Sequence, residues 1–308
     1  VKVNKKSFAT SLKVFLLVKE QFSINEWVMI PAEKKNIILF LFAIWLRQIN
    51  PKTKLFSYNH ASIKSKNYIF SKLDNLISIF FYNRLDRVIF YNEYSSKMAI
   101  SQKLISHEKA FWANNTLDNT EINKHYKFCL PPKNTFSILF LGRLIPSKRL
   151  DLFLYYTEIL INKFPQIEIH IIGDGPENIF IDKYMKKLNL HWHGTLIEES
   201  EIAQVFKRVS LVFLPGLSGL SINHSFMYGR PYITLNSNLH GPEINYIDEG
   251  ENGYILPNNK LALIDTFGNL INDRELLESF CKSAFKKGQS LSVSNWVEQF
   301  KNSLTIEK

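Results

Sequence analysis

Residues 211–234 read LVFLPGLSGLSINHSFMYGRPYIT. Four apolar residues run into proline and a loop of glycine, leucine and serine. A short segment with helical spacing follows, and GRP leads into YITL. Two apolar runs joined through a helix are the repeating unit of a parallel sheet, because parallel strands need a crossover connection. The unbroken apolar character of LVFL and YITL marks strands covered on both faces.

The same alternation extends outward from this stretch. Upstream, FSILFLG (136–142) and IEIHIIG (167–173) are predicted strands with the helical pattern LDLFLYYTEILINKF (150–164) between them. IFIDKYMKKLNL (179–190) is a helix, HWHG (191–194) a short strand and EESEIAQVFKRV (198–209) a helix. Downstream, PEINYIDE (242–249) is predicted helical and GYIL (253–256) a strand, and three helical patterns continue through NWVEQFKNSL (295–304). A Rossmann-like domain over 135–308 follows from this order. The paired prolines of KFCLPPKNT (127–135) mark the expected linker. Before it, EWVMI, KLFSYNH, DRVIFYN and KAFWAN are predicted strands, with helices at IILFLFAIWLRQI (37–49) and SKLDNLISIFFYNRL (71–85). These define a second, shorter α/β domain over residues 1–130. The run IILFLFAIWL is about half the length that spans a bilayer and reads as a buried helix.

The chain of 308 residues suits two domains, and 45% hydrophobic with 21% charged residues excludes disorder. The two cysteines, Cys129 and Cys281, lie far apart, so a reducing, cytoplasmic setting is expected. The opening VKVNKKSFATSLKVFLLVKE lacks the long apolar core and small-residue cleavage site of a signal peptide. The net charge of +10 is uneven, with roughly two basic residues per acidic one before about position 134 and near balance afterwards. That asymmetry suits an anionic partner: nucleic acid, an anionic membrane surface or a phosphate-bearing acceptor. A merely lysine-rich surface is the structural alternative.

Ligands of an open parallel sheet sit beyond the carboxyl ends of its strands. Here those positions carry Gly142, Arg143 and Lys148 after the first strand of the second domain, Asp174 and Gly175 after the next, GLSGLS after LVFLP, and NSNLHGPE after PYITL. Fixed positive charge beside backbone N–H groups at a helix start attracts a diphosphate. Singly, Gly219 could serve only a turn, Lys148 only a helix start, and Gly229 with Pro231 only a helix stop. Together at one sheet edge they point to a ligand.

In its second half the sequence resembles the donor-binding domain of the retaining GT-B glycosyltransferases of family 4, also called glycosyltransferase group 1. The matching elements are GRLIPSKRLDLFL, IIGDGPE, HWHGTL, LVFLPG, GLSINHSFMYGRPYIT and GPEINYIDEGENGYILP, in the family's order. YNHAS, DRVIFYNE and WANNTLD carry a weaker likeness to its amino-terminal domain. The resemblance implies an α/β GT-B fold, two Rossmann-like domains facing a cleft. It implies an enzyme that moves a sugar from a nucleotide diphosphate sugar to a glycan or lipid-linked acceptor, with contact to an anionic membrane as a further partner. Arg143 and Lys148 would hold the diphosphate, Ser218, Gly219, Leu220 and Ser221 would add N–H contacts, and His60 would touch the transferred sugar. Asn115 and Glu93 are weaker candidates of the same kind.

Two features depart from the family. Its members carry two glutamates eight residues apart where this chain has Gly216 and His224, so Glu243 is expected to substitute in part; the alternative is a glutamate placed only for the helix dipole. About 130 residues before the linker is short for an amino-terminal domain, which implies truncation or a reduced acceptor side. No D-x-D triplet is present to hold a divalent cation, so no metal is expected. A non-catalytic nucleotide-sugar-binding subunit is the alternative. A nucleic-acid-binding protein is a remote one, because no aromatic-basic recognition motif accompanies the charge.

Overall fold

The computed structural model describes residues 12–59, 68–185 and 189–305. The chain forms two units, one of residues 1–114 with 294–308 and one of residues 115–293.

In the first unit α1 (Leu12–Ile24) leads to β1 (Trp27–Met29), followed by α2 (Ile37–Ile49), β2 (Lys54–Asn59), α3 (Tyr68–Asn83), β3 (Arg87–Phe90), α4 (Glu93–Ser101) and β4 (Ala110–Trp112). The four strands are parallel in the order β1-β2-β3-β4. A sheet that grows in one direction by right-handed crossovers stacks its connecting helices on one face. The alternation along β2 shows the two faces: Leu55 joins Phe40, Phe81, Val88 and Phe90 on the helix side, whereas Phe56 joins Ile89 and Ala113 on the other.

That other face is covered by the last helix of the chain, Val293–Leu304, through Trp296, Phe300 and Leu304. Trp296 Nε1 donates to Tyr58 Oη at 3.2 Å, and Arg87 donates to the Ser303 carbonyl at 2.8 Å. The expected domain limits are corrected at both ends. Residues 294–304 pack with the first sheet, because an amphipathic stripe records that a helix is buried but not against which sheet. Residues 115–130 belong to the second core, where Leu117, Ile122, Tyr126 and Leu130 pack. The prolines are no free linker, since Arg274 donates to the carbonyls of Pro131 and Pro132.

A further correction concerns α2. Leu39, Phe40, Ala43 and Leu46 are buried, but Ile38, Leu41, Trp45 and Ile49 lie on the opposite arc and are about half exposed.

The second unit runs α5 (Thr120–His125), β5 (Phe136–Leu141), α6 (Leu150–Lys163), β6 (Ile167–Ile172), α7 (Ile179–Met185), β7 (Leu190–Trp192), α8 (Glu199–Phe206), β8 (Leu211–Leu214), α9 (Ser221–Met227), β9 (Tyr232–Leu235), β10 (Gly253–Leu256), α10 (Lys260–Asn272) and α11 (Arg274–Ser290). Its six strands are all parallel in the order β10-β9-β8-β5-β6-β7. Every residue of β5, β8 and β9 is buried, as their apolar runs require. PEINYIDE is not an α-helix: Pro242–Tyr246 forms a short 3-10 turn that buries Glu243 and Tyr246. Asn252 ends it by donating to Tyr246 O and accepting from Asp248 N.

The chain reverses direction across the sheet between β5 and β8. Crevices open at such a switch point.

Candidate functional site

At the carboxyl end of β5, Gly142 adopts φ +145°, open to glycine and strained for other residues. The chain then passes Arg143 and a 3-10 turn, Pro146–Lys148, into α6. The loop after β6 is pinned beneath it. A Cβ on Gly173 would lie 1.9 Å from Gly142 O, and one on Gly175 would lie 2.4 Å from Leu144 O. Asp174 Oδ1 caps its own turn, accepting from Gly175 N at 2.7 Å and Asn178 Nδ2 at 3.1 Å. Asp174 and Gly175, expected as ligand contacts, are engaged in shaping the Arg143 loop.

The loop after β8 closes on the same turn. Leu217 N donates to Ser147 O at 2.7 Å, and Lys148 Nζ donates to Leu217 O at 2.5 Å. Gly216 permits this contact, since a Cβ there would lie 2.3 Å from Ser147 O and 2.4 Å from Lys148 C. A glutamate at 216 has no room in this arrangement. The glycine is therefore a packing requirement of the loop that holds Lys148.

Lys148 is half-buried and carries an electrostatic deficit. Burial first, and then the nearby Arg143 charge, push its pKa below the ordinary lysine value, with only Glu243 acting in the opposite sense. Among the described residues the exposed Arg143 guanidinium has no hydrogen-bond or ion-pair partner. Two cations beside one carboxylate leave a place for an anion.

Glu243 sits at this edge. It is buried; Oε1 accepts from Asn115 Nδ2 at 2.5 Å, and Oε2 lies where a Cβ on Gly219 would be 3.6 Å away and one on Gly241 only 2.4 Å. Glycine at 219 and 241 lets the backbone lie against the carboxylate.

Ser218 differs from expectation. Its N–H donates to His240 Nδ1 at 3.1 Å, while His240 Nε2 donates to Leu235 O at 2.7 Å. Burial first, and the Lys148 charge as well, hold His240 below its usual pKa, which keeps Nδ1 free to accept. The Ser218 hydroxyl is fully buried in a network with Gly216 O, Thr234 Oγ1 and Tyr232 Oη, and Ser221 Oγ joins Tyr232 Oη at 2.8 Å. Ser218 thus supports the loop through both its N–H and its hydroxyl. The N–H groups of Gly219, Leu220 and Ser221 precede the first full turn of α9, where a helix lacks internal acceptors.

His224 finds its partners on α8. Its Nε2 lies 3.1 Å from Glu199 Oε1, and Tyr228 Oη donates to Glu199 Oε2 at 2.6 Å. Burial alone would raise the Glu199 pKa, but the His224 and Tyr228 hydrogen bonds hold it below the ordinary carboxylate range. In the first unit Glu93 opens α4 and pairs with Lys97 at 2.8 Å. His60 lies outside the described residues.

Arg143, Lys148, Gly216, Gly219 and Glu243 thus meet where β5 and β8 diverge, with Asn115 and His240 as supports. The contacts that His240 makes with Ser218 and Glu199 with His224 are not legible in the sequence. His240 is one histidine in a polar loop, and Glu199 resembles any acidic residue at a helix start.

Residues 135–273 match the family model "Glycosyl transferases group 1". The chain is 24% identical over 173 residues to the poly(ribitol-phosphate) alpha-N-acetylglucosaminyltransferase of Staphylococcus aureus, covering 54% of this chain and 33% of that protein. It is 22% identical over 208 residues to an uncharacterized glycosyltransferase of Haemophilus influenzae, covering 64% of this chain and 58% of that one. It therefore spans between a third and three-fifths of the length of these relatives. Anabaena Alr3699/HepE, solved in complex with UDP, superposes over 95% of this chain and 82% of its own with a TM-score of 0.68 at 15% identity.

Proposed function

We propose that this chain, whose residues 135–273 match the glycosyl transferases group 1 model and whose fold is that of GT-B enzymes, transfers a sugar from a nucleoside diphosphate sugar to a glycan or lipid-linked acceptor, with retention and without a metal ion. The observation that carries the reading is the cation pair at the switch point. Lys148 is half-buried and anchored on Leu217, beside an Arg143 that no described residue neutralises.

A diphosphate seated there supplies the missing negative charge. As the bond between the sugar and the diphosphate breaks, charge grows on the departing oxygen, and fixed cations in a partly desolvated setting stabilise it without reorganising. Glu243, buried against Gly219, would orient the donor beside the phosphates. The relative crystallised with UDP makes uridine donors the first to try. The excess of basic residues in the first unit favours an acceptor that carries phosphate or sits at an anionic surface.

The test is donor turnover in the presence of EDTA, with the anomeric configuration of the product read by NMR. Undiminished turnover and a product of the donor's configuration are expected; inversion, or an absolute need for added metal, would contradict the proposal. A second reading, a non-catalytic nucleotide-sugar-binding subunit, draws on the closed Gly216 position and on His224 being taken up by Glu199. Binding without turnover or donor hydrolysis would favour that one.

A further inference from the structure

The peptide between Leu217 and Ser218 is held from both sides. Its carbonyl accepts from Lys148 Nζ at 2.5 Å, and its N–H donates to His240 Nδ1 at 3.1 Å. A peptide unit is rigid and planar, with these two groups on opposite edges, so a rotation that breaks one bond breaks the other. The neighbouring backbone is fixed as well: Leu217 N donates to Ser147 O at 2.7 Å, and Gly241 N donates to Ser218 O at 2.8 Å. Lys148 is therefore anchored on a peptide whose orientation is set by one imidazole.

We propose that His240 is the positioning residue of the diphosphate site, and that a proton on its Nδ1 turns the Leu217–Ser218 peptide over and releases Lys148. Nε2 donates to Leu235 O at 2.7 Å, so in the neutral ring Nδ1 is left as an acceptor, which is what the Ser218 N–H requires. The imidazolium has a donor at both nitrogens. Its Nδ1–H would face the Ser218 N–H, with no acceptor between them. Turning the peptide over gives Nδ1–H the Leu217 carbonyl instead, but it sets the Ser218 N–H toward the Lys148 ammonium, which loses its anchor. The effect on a bound donor rests on the function proposed above, whereas the hold on the loop rests on these contacts alone.

The charges around the ring fix the direction of the effect. The segment 215–221 contributes no titratable side chain, the turn after β5 contributes Arg143 and Lys148, and the loop of His240 itself contributes Glu243. Burial first, and the Lys148 charge as well, oppose the proton against the pull of the Leu235 carbonyl. Glu243 is engaged elsewhere, with Oε1 accepting from Asn115 and Oε2 lying against the backbone at Gly219 and Gly241. The loop binds the neutral ring, so the arrangement is intact above the ordinary histidine value. It weakens below that value and is lost as pH falls through the depressed value of His240. A nucleoside diphosphate sugar has no phosphate monoester, so the donor keeps its charge through this range.

The experiment is NMR of the intact chain from about pH 8 to about pH 4, following the His240 ring nitrogens and the Ser218 amide, with calorimetry against UDP-glucose as the probe. At neutrality Nδ1 should be unprotonated and Nε2 protonated, and ring and amide should share one midpoint below the ordinary histidine value. In His240→Asn the Oδ1 stands in the place of Nδ1 and does not titrate. Its Ser218 amide should stay constant, and its affinity for UDP-glucose should be level with pH, whereas that of the parent falls about tenfold or more in acid and that of His240→Leu is weak throughout. A Ser218 amide that titrates alike in parent and His240→Asn, an equal acid loss of affinity in both, or undiminished binding by His240→Leu would overturn the proposal. Joint titration of ring and amide, absent in His240→Asn, with no binding of UDP-glucose at any pH would uphold the hold on the loop and count against the donor reading instead.

Discussion

Lys148→Ala is expected to lower kcat/KM for donor turnover by about 10²–10³-fold, the usual cost of removing one fixed charge or donor from a developing anion. The expectation rests on how the side chain is held. Lys148 Nζ is tied to Leu217 O, its backbone carbonyl packs where a Cβ on Gly216 would stand, and burial disfavours its charged form in the absence of an anion. A lysine that is merely an exposed helix-start residue would show none of these features and would tolerate alanine. The measurement is steady-state kinetics with saturating acceptor, and the loss should fall on kcat as well as KM, since the charge on the diphosphate is larger in the transition state than in the bound donor. A variant that kept kcat and changed only KM would place Lys148 in ground-state binding.

Arg230→Ala should cost the second unit about 3–5 kcal/mol of stability. Arg230 is fully buried, and its guanidinium donates to Phe206 O from Nε at 3.1 Å and Nη2 at 2.9 Å, to Cys129 O at 2.9 Å, and to Tyr228 O and Gly229 O at 3.2 Å. One side chain thus satisfies the end of α8, the end of α9 and the incoming segment before β5. Alanine would leave these carbonyls without a donor and a void in their midst. Lysine should rescue little, because a point ammonium cannot reproduce the planar fork that reaches three segments at once. Denaturant titration of the two variants measures the effect, and a loss below about 1 kcal/mol for alanine would show that water or relaxation satisfies the carbonyls. The end of α9 is fixed by this residue, and α11 presses against the same helix where a Cβ on Gly288 would lie 2.4 Å from Phe226 O. The loop from Gly216 to Leu220 is therefore held at its far end by buried contacts.

Much of the second unit is legible in the residues because its strands are apolar throughout and separated by helices of ordinary length. The rule that ligands gather beyond strand ends brings Arg143, Lys148 and the GLSGLS loop together from strand order alone. What is not legible depends on contacts between distant segments. Nothing local shows that Trp296 and Phe300 would lie on the first sheet, or that Tyr126 and Leu117 would join the second core despite the prolines that follow. The spacing of α2 gives a helix but not an uncovered side. Gly216 resembles a missing glutamate until its Cβ position is found filled by the Lys148 turn, and Ser218 resembles a free donor until His240 is found accepting from it.

A diphosphate bound between Arg143, Lys148 and Gly219 is what the proposed chemistry requires. Its most direct test is calorimetry of the intact chain against a panel of nucleoside diphosphate sugars, uridine donors first, repeated with Arg143→Ala. The guanidinium is exposed and has no partner among the described residues, so the variant should fold as the parent does. Binding of one donor that weakens by about tenfold or more in the variant is the predicted result; equal binding by parent and variant, or no binding by a folded parent to any donor of the panel, would contradict it.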